Sequence, residues 1–448
     1  MTLYISTLFY IYTFYLVWNN YCCDLFSYYG YTAGAFNTTW FAVTVVSILI
    51  PLFFYKRVLS INNFITIILF VFLYIPIQLA IYFIDYSFFN YKSILYMITL
   101  SVIQSSFFYV ERIKIKDEAD TKKDIIANDA PFEISENIFA VEILTVILFI
   151  YLLTSIRFRL SINSLASASE ARADQILLIK SSFIGTGYVI CWLSSLFCPI
   201  ILTTGLFLKK YYLCFFIFLG YFCLYGCNTM KIQLFIPILI VLFYYMLTTE
   251  FFKKNLMSSV EIITSIICLL LLQTGRDTAL SDIKSIFLQR TVAQQGLLFT
   301  QYVDFFHDHP NTYFSHINVV DYITRSYPYT GYSIGQMVHG GDSNSCAGFF
   351  ALDGIASADY AGLIIISIIF FAFLFYIRYI EHKYVSNMKE VIFLCLVLTP
   401  STMALCNSSF FTYLWTRGVI FIIIIIQTNF IVKKQRSYEN TGQCIQSD

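Results

Sequence analysis

Charge is scarce in this chain. Asp, Glu, Lys and Arg make up only 12% of its 448 residues, and the formal net charge is +1. A nucleic-acid partner normally requires a strongly basic surface, so this charge balance argues against one. Proline is scarce too, with 8 residues, whereas 58% of the residues are hydrophobic. A chain this long and this apolar is typical of a multi-pass helical membrane protein and not of a soluble globular one.

The spacings by which cysteine and histidine hold a metal are also absent. None of the 12 cysteines forms a Cys-x-x-Cys pair, and most fall inside apolar runs, where cysteine is an ordinary small hydrophobic residue. We therefore expect neither a metal nor another cofactor. Residues 3–18 lack a preceding basic segment and a small-residue cleavage site, so we interpret this run as a membrane span that stays in the mature protein.

Long apolar runs recur along the chain, and a membrane-spanning helix takes roughly 20 such residues. Twelve runs predict transmembrane helices, at residues 3–18, 36–55, 61–84, 91–110, 138–156, 183–208, 211–227, 232–247, 256–272, 360–379, 391–406 and 410–432. Dividing residues 176–208 into two short helices at Gly185 and Gly187 would give thirteen spans, but a thirteenth span would move basic clusters to the wrong side of the membrane. With twelve spans and both termini in the cytoplasm, 17 Lys and Arg residues lie inside and 11 outside, as the positive-inside rule requires.

The predicted fold is therefore an all-α polytopic membrane protein. Residues 1–273 carry helices 1–9, residues 274–359 form one large periplasmic loop, and residues 360–448 carry helices 10–12 and a short cytoplasmic tail. Of the outside cations 7 of 11 are Arg, against 4 of 17 inside. Arginine binds phosphate through two parallel hydrogen bonds, so the outer face is predicted to bind an anion. Arg157 and Arg417 can instead simply extend to the lipid headgroups.

An amphipathic helix is predicted at residues 291–307 of the loop. Val292, Phe299, Val303 and Phe306 fall on one helical face, and Pro310 ends the helix. We expect this helix to lie on the membrane or to cap the bundle. The loop also contains four of the five histidines, and its candidate acid or base groups are His316, His339, Asp342 and Asp353. A single exposed His or Asp is more often an ordinary surface residue.

Aromatic side chains form a turn further along the loop, at Tyr327, Pro328 and Tyr329. Such rings suit stacking on sugar faces, or they belong to the aromatic belt at the membrane surface. Inside the predicted spans, by contrast, Glu142 is the one clear deep ionisable residue. A proton- or ion-coupled transporter normally carries several such groups around a central cavity, so coupled transport is disfavoured.

A family pattern is visible in the run QRTVAQQGLLFTQYVDFFHDHPNTYFSHINVVDYITRSYPYTGYSIG and in the following DSNSCAGFFALDGIASADYAGL. The order of Arg, Tyr-x-x-Phe-Phe, Ser-His, Tyr-Pro-Tyr and Asn before Asp-Gly resembles the Wzy-type O-antigen polymerases, or oligosaccharide repeat-unit polymerases. The matching positions are Arg290, Tyr302, Phe305, Phe306, Ser315, Tyr327, Pro328, Asn344, Asp353 and Gly354. Upstream, Arg172 and residues 228–231 resemble the family's outer-face basic positions.

This resemblance implies a bacterial inner-membrane enzyme with a fold similar to the GT-C glycosyltransferases. It would elongate O-antigen or a related polysaccharide on the periplasmic side, from undecaprenyl-diphosphate-linked oligosaccharide repeat units. Fixed cations would stabilise the charge on the departing diphosphate without a metal. The residues that would bind substrate are Arg172, Lys231, Arg276, Arg290, Tyr302, Tyr327 and Asn344. His316 would be the base that takes the proton of the acceptor hydroxyl, with Asp353 as the second choice.

Two other functions remain open at this point. An O-antigen ligase has a similar plan and donor but transfers the glycan to lipid A core. A flippase for the same lipid-linked sugar is not an enzyme; it predicts polar residues within the spans and no large outer loop, the reverse of this sequence. The sequence also leaves open the sugars, the stereochemistry of the linkage, and whether a chain-length regulator protein acts together with this one.

Overall fold

The protein is described here from a computed structural model, which covers residues 2–84, 89–115, 133–156, 185–275, 281–338, 348–428 and 430–431. These residues are almost entirely helical. The α-helices are α1 Thr2–Val17, α2 Cys23–Leu25, α3 Thr38–Leu49, α4 Ile61–Leu69, α5 Ile75–Phe83, α6 Phe89–Tyr109, α7 Ile138–Ser155, α8 Thr186–Trp192, α9 Cys198–Phe207, α10 Tyr211–Asn228, α11 Ile232–Thr248, α12 Glu250–Lys254, α13 Leu256–Gln273, α14 Ser281–Lys284, α15 Gln294–Asp308, α16 Asn318–Thr324, α17 Ile334–Val338, α18 Phe350–Tyr384, α19 Met388–Leu405, α20 Phe410–Leu414 and α21 Val419–Gln427.

Short stretches of other helix types join some of these elements. π-helical turns occupy Trp18–Cys22, Phe70–Tyr74, Leu193–Phe197 and Ser285–Ala293, and 3-10 turns occupy Ser27–Tyr29, Ile50–Phe53 and Val110–Arg112. Because α4, its π turn and α5 run on without a break, they form one continuous rod, Ile61–Phe83, in which every residue except Tyr82 is buried. The helices α1, α3, α6, α13, α15, α18 and α19 pack against this central rod.

Eight helices in the described part of the chain are long and apolar enough to cross a membrane, and two shorter apolar helices accompany them. The protein is therefore a multi-pass membrane protein built of helices, as predicted. Each predicted span that falls on described residues is helical, although the last one, at 410–432, is divided into α20 and α21. Gly418 lies between them with φ of 76°, a backbone conformation that ends a helix. The number twelve and the orientation of the termini stay predictions.

The helix α15 is buried within the protein. Val292 just before it and Phe299, Val303 and Phe306 within it are each at most 4% exposed, so the predicted apolar face is the packed face. It packs against α5 and α18. The contact with α5 is close: a Cβ atom at Gly296 would lie 2.3 Å from the carbonyl oxygen of Pro76. Only glycine permits this approach of two backbones.

The helix α18 is broken near its beginning. Ala358 and Asp359 have non-helical backbone angles, so residues 350–357 and 360–384 are two helices joined by a sharp turn. The segments fold onto each other, since a Cβ at Gly362 would lie 1.9 Å from the carbonyl oxygen of Gly354. Residues 350–357, which the sequence assigned to the loop, are thus a buried helix. The tenth predicted span, 360–379, corresponds to the second segment alone.

Candidate functional site

His316 and Asp353 lie next to each other where the loop after α15 meets the first segment of α18. The Nε2 atom of His316 is 3.6 Å from the Oδ1 atom of Asp353, and the two side chains are only 11% and 6% exposed. Two groups that sequence analysis selected separately as candidate bases therefore form one buried pair.

The hydrogen bonds around His316 restrict where its protons lie. The hydroxyl of Thr312 lies 2.9 Å from Nδ1 of His316 and donates to the carbonyl oxygen of Ala356 at 3.0 Å. A hydroxyl has one proton, so Nδ1–H must donate to Thr312 when Thr312 donates to Ala356. The neutral ring then carries its lone pair at Nε2, which is buried and has no hydrogen-bond partner among the described residues. That nitrogen is free to accept a proton beside a carboxylate.

Asp353 is fixed by a bond of its own. Its Oδ2 atom accepts the backbone N–H of Phe410, the first residue of α20, at 3.1 Å. An aspartate that accepts an N-terminal N–H of a helix is a common structural device, and this role alone would account for its burial. The second oxygen, Oδ1, is the one that faces His316. The carboxylate is therefore oriented by α20 and presents its remaining oxygen to the histidine.

A tight turn holds His316 in place. Tyr313 and Phe314 have φ of 50° and 65°, which is uncommon for side chains of this size. The backbone N–H groups of Thr312 and Tyr313 donate to the carbonyls of Ala356 and Ser357 at 2.8 and 2.9 Å. These carbonyls belong to the end of the first segment of α18, where the helix itself leaves them open. The turn therefore caps the same short helix that carries Asp353.

Two of the four cations predicted to bind the substrate lie among the residues that the structure describes. Arg172 and Arg276 lie outside the described residues, as do Asn344, His339 and Asp342. Lys231 is half-buried just before α11, which packs against α10 and α19. Arg290 is exposed in the π turn Ser285–Ala293, which packs against α1 and α13. The two described cations thus lie on elements with different neighbours, and a shared anion site of all four stays a prediction.

The two tyrosines predicted to bind substrate, Tyr302 and Tyr327, and Tyr329 of the aromatic turn all contact the protein itself. Tyr302 is 3% exposed and packs beside Phe306, with ring centroids 6.0 Å apart. The Tyr327 hydroxyl donates to the carbonyl of Tyr332 at 2.9 Å, and burial raises the pKa of Tyr327 to about 12. Tyr329 is 8% exposed and donates to the carbonyl of Pro310. These rings stabilise the loop, and their open faces for sugar stacking are limited.

Several residues that shape the site and the bundle were not predicted from the sequence. Nothing in the local sequence identifies Thr312 or Tyr96 as part of the site. The Tyr96 hydroxyl donates to Asp359 at 2.7 Å, although the two residues are 263 positions apart in the sequence. Glu261 was also not predicted; it is fully buried in α13 and accepts hydrogen bonds from Ser6 and Thr7 of α1. A glutamate within an apolar run was a visible signal that an intramembrane polar contact was present.

The described residues contain no group of three or more His, Cys, Asp or Glu side chains arranged to hold a metal ion. Two apolar cavities lie near α19 and α21, and neither is lined by His316 or Asp353. No protein-family model, curated protein or solved structure matches this chain. The functional proposal therefore rests on the site residues described above.

Proposed function

We propose that this protein is a polymerase that joins undecaprenyl-diphosphate-linked oligosaccharide repeat units into O-antigen or a related surface polysaccharide, on the periplasmic face of a bacterial inner membrane. The observation that carries the proposal is the buried His316–Asp353 pair, within the segment whose sequence resembles the Wzy-type polymerases. The helical bundle supports it as well, since a membrane-embedded enzyme can reach a substrate that is anchored in the membrane by its lipid.

In the proposed reaction an acceptor hydroxyl attacks the anomeric carbon of the donor. The new bond joins that oxygen to the anomeric carbon, and the bond from the carbon to the diphosphate oxygen breaks. Nε2 of His316 takes the hydroxyl proton, and Asp353 beside it stabilises the resulting imidazolium. The diphosphate leaves as an anion, whose charge the cations Arg172, Lys231, Arg276 and Arg290 are proposed to stabilise. Nε2 is buried, so neighbouring side chains must move aside for the acceptor to reach it.

The first test is genetic. A strain lacking the gene should carry only single-repeat glycan, and the wild-type gene should restore a ladder of long chains. His316→Ala and Asp353→Asn should each lower polymer by about 100-fold or more, as expected for the loss of a general base or its partner. His307→Ala is a matched control, because His307 is an exposed histidine in the last turn of α15. Its ladder should be normal, and protein levels of all variants should match by immunoblot.

The alternatives predict different results in the same strains. Complete absence of repeats on lipid A core in the deletion strain indicates a ligase or a flippase and not a polymerase. Reconstitution separates a polymerase from a flippase: purified protein and lipid-linked repeat unit should yield longer lipid-linked glycans. Translocation of the repeat unit without any elongation would contradict the proposal, as would a normal ladder from both His316→Ala and Asp353→Asn.

A further inference from the structure

The turn that breaks α18 carries an unexpected side chain. Asp359 has φ of 49° and ψ of −130°, a conformation that is costly for any residue with a Cβ and is suited to glycine. The chain does carry glycine nearby, at Gly354 and Gly362, where the two backbones touch. At position 359 it carries a carboxylate instead. Backbone strain of this kind is retained only where the surrounding structure enforces it, and it is concentrated at functional sites.

The break is required for the geometry of the His316–Asp353 pair. In an unbroken helix the carbonyls of Ala356 and Ser357 would accept from the amides four residues later. In this structure they accept from the backbone N–H groups of Thr312 and Tyr313, at the start of the turn that carries His316. Straightening α18 would therefore draw these carbonyls away from that turn. His316 would lose its support, while Asp353 would remain on the helix.

The neighbouring helix α6 holds the break and the residue that follows it. The hydroxyl of Tyr96 donates to Oδ1 of Asp359 at 2.7 Å, and Thr99 forms a 2.6 Å hydrogen bond with the hydroxyl of Tyr360. Tyr96 is 2% exposed, and its ring packs edge-on against Phe299 of α15. The bond between Tyr96 and Asp359 is thus a partly buried, charge-assisted contact between a fixed donor and the strained residue.

We propose that Asp359 is a positioning residue for the His316–Asp353 pair. Its carboxylate, held by Tyr96, keeps α18 broken, and the break keeps the carbonyls of Ala356 and Ser357 available to the turn that carries His316. The role of this positioning in polymer synthesis rests on the proposed function. The positioning itself does not, because it can be measured on His316 directly.

The experiment uses the full-length protein in lipid nanodiscs. Tyr96→Phe and Asp359→Ala remove the bond from either side, and Asp359→Asn keeps an oxygen that can accept from Tyr96. Each protein is treated with diethyl pyrocarbonate, and carbethoxylation of His316 is followed by mass spectrometry. Exposed His307 of the same molecule is the internal reference. Tyr10→Phe is the matched control, because it removes a buried tyrosine hydrogen bond, to the carbonyl of Val71, elsewhere in the bundle.

His316 should be protected in the wild type, because its side chain is 11% exposed. Its rate of modification should rise about tenfold in Tyr96→Phe and Asp359→Ala, since loss of a hydrogen bond to a charged group raises the opened population by about that factor. In Asp359→Asn and Tyr10→Phe the rate of His316 modification should stay within about threefold of the wild-type rate. This is a smaller change than the loss of one such hydrogen bond would cause. Polymer synthesis should fall in the first two variants through kcat, with KM little changed.

The proposal is overturned if His316 reacts at the wild-type rate in both Tyr96→Phe and Asp359→Ala, or if Asp359→Asn is as reactive as Asp359→Ala. A rise in Tyr10→Phe of the same size would also overturn it, because loosening would then be general. Should the reactivities change as expected while even the wild type makes no polymer, the proposed function fails and the positioning role stands.

Discussion

At the scale of single residues, two glycines shape the candidate site. The close contact of Gly354 with Gly362 lets the two segments of α18 fold together. In one straight helix these residues would be about 12 Å apart, at 1.5 Å for each of eight steps. The contact therefore exists only because α18 is broken, and it leaves no room for a side chain. Asp353 directly precedes Gly354, so its position depends on this contact.

Replacing Gly362 by alanine should destabilise the protein. The new Cβ would lie 1.9 Å from the carbonyl oxygen of Gly354, so the two segments must separate. We expect a cost of about 1–3 kcal/mol or more, as for other overpacked sites. The measurement is the midpoint of thermal unfolding of the purified protein in detergent, together with the glycan ladder.

Gly187→Ala provides the control for that substitution. Gly187 lies in α8, and no heavy atom is within 4 Å of the Cβ that alanine would add. Removing glycine from a helix where there is space should stabilise the protein by about 0.5–1 kcal/mol. If Gly362→Ala unfolds at the same temperature as Gly187→Ala, the backbone contact in α18 is not present in solution.

At the scale of elements, α15 determines how the loop meets the bundle. The sequence pattern predicted its apolar face, and the structure buries Phe299, Val303 and Phe306. The pattern left open what covers that face, with the membrane surface as one possibility. In the structure the cover is protein, because α15 packs against α5 and α18. The site is thereby attached to the central rod of the bundle.

The packing of α15 predicts that Phe299→Ala is strongly destabilising. Phe299 is 0% exposed and its ring lies edge-on to that of Tyr96, with centroids 5.7 Å apart. A large cavity in a well-packed interior costs about 3–5 kcal/mol. Thermal unfolding should reveal the loss, and Tyr322→Ala should show almost none because Tyr322 is 83% exposed. Equal midpoints for the two variants would favour a helix that rests loosely on the membrane surface.

At the scale of the whole molecule, the bundle holds two buried pairs of ionisable side chains. The first is Glu111 with Arg378 at 2.5 Å, beside Ser60, and the second is His316 with Asp353. The central rod Ile61–Phe83 begins next to the first pair and has 23 residues, so it is about 35 Å long. This length matches the apolar core of a bilayer.

Cysteine labelling tests the predicted orientation. A cysteine at exposed Tyr322, in the loop, should react with a membrane-impermeant maleimide on intact spheroplasts. A cysteine at exposed Lys254, in the connection before α13, should react only after permeabilisation. Labelling of the unmodified protein, which has its own free cysteines, supplies the background. The reverse pattern would place the His316–Asp353 pair in the cytoplasm and exclude a periplasmic polymerase.

The sequence by itself determined the class of fold and the positions of most helices. Runs of apolar residues must leave water, and their length is fixed by the rise of a helix, so these features are local. His316 and Asp353 were also identifiable as candidate bases, because ionisable groups are rare in such a chain.

Only the tertiary structure decided that these two residues form a pair, that Thr312 and α20 orient them, and that α18 is broken. Tyr96 and Asp359 are 263 positions apart, and their contact exists only when α6 and α18 pack. The sequence assigned residues 350–357 to the loop and began the tenth span at residue 360, so the short helix before the break was not predicted. A straight helix is the local optimum across such a position. Contacts from α6 and from the turn at Thr312 overcome that local preference, and no pattern along a single segment records them.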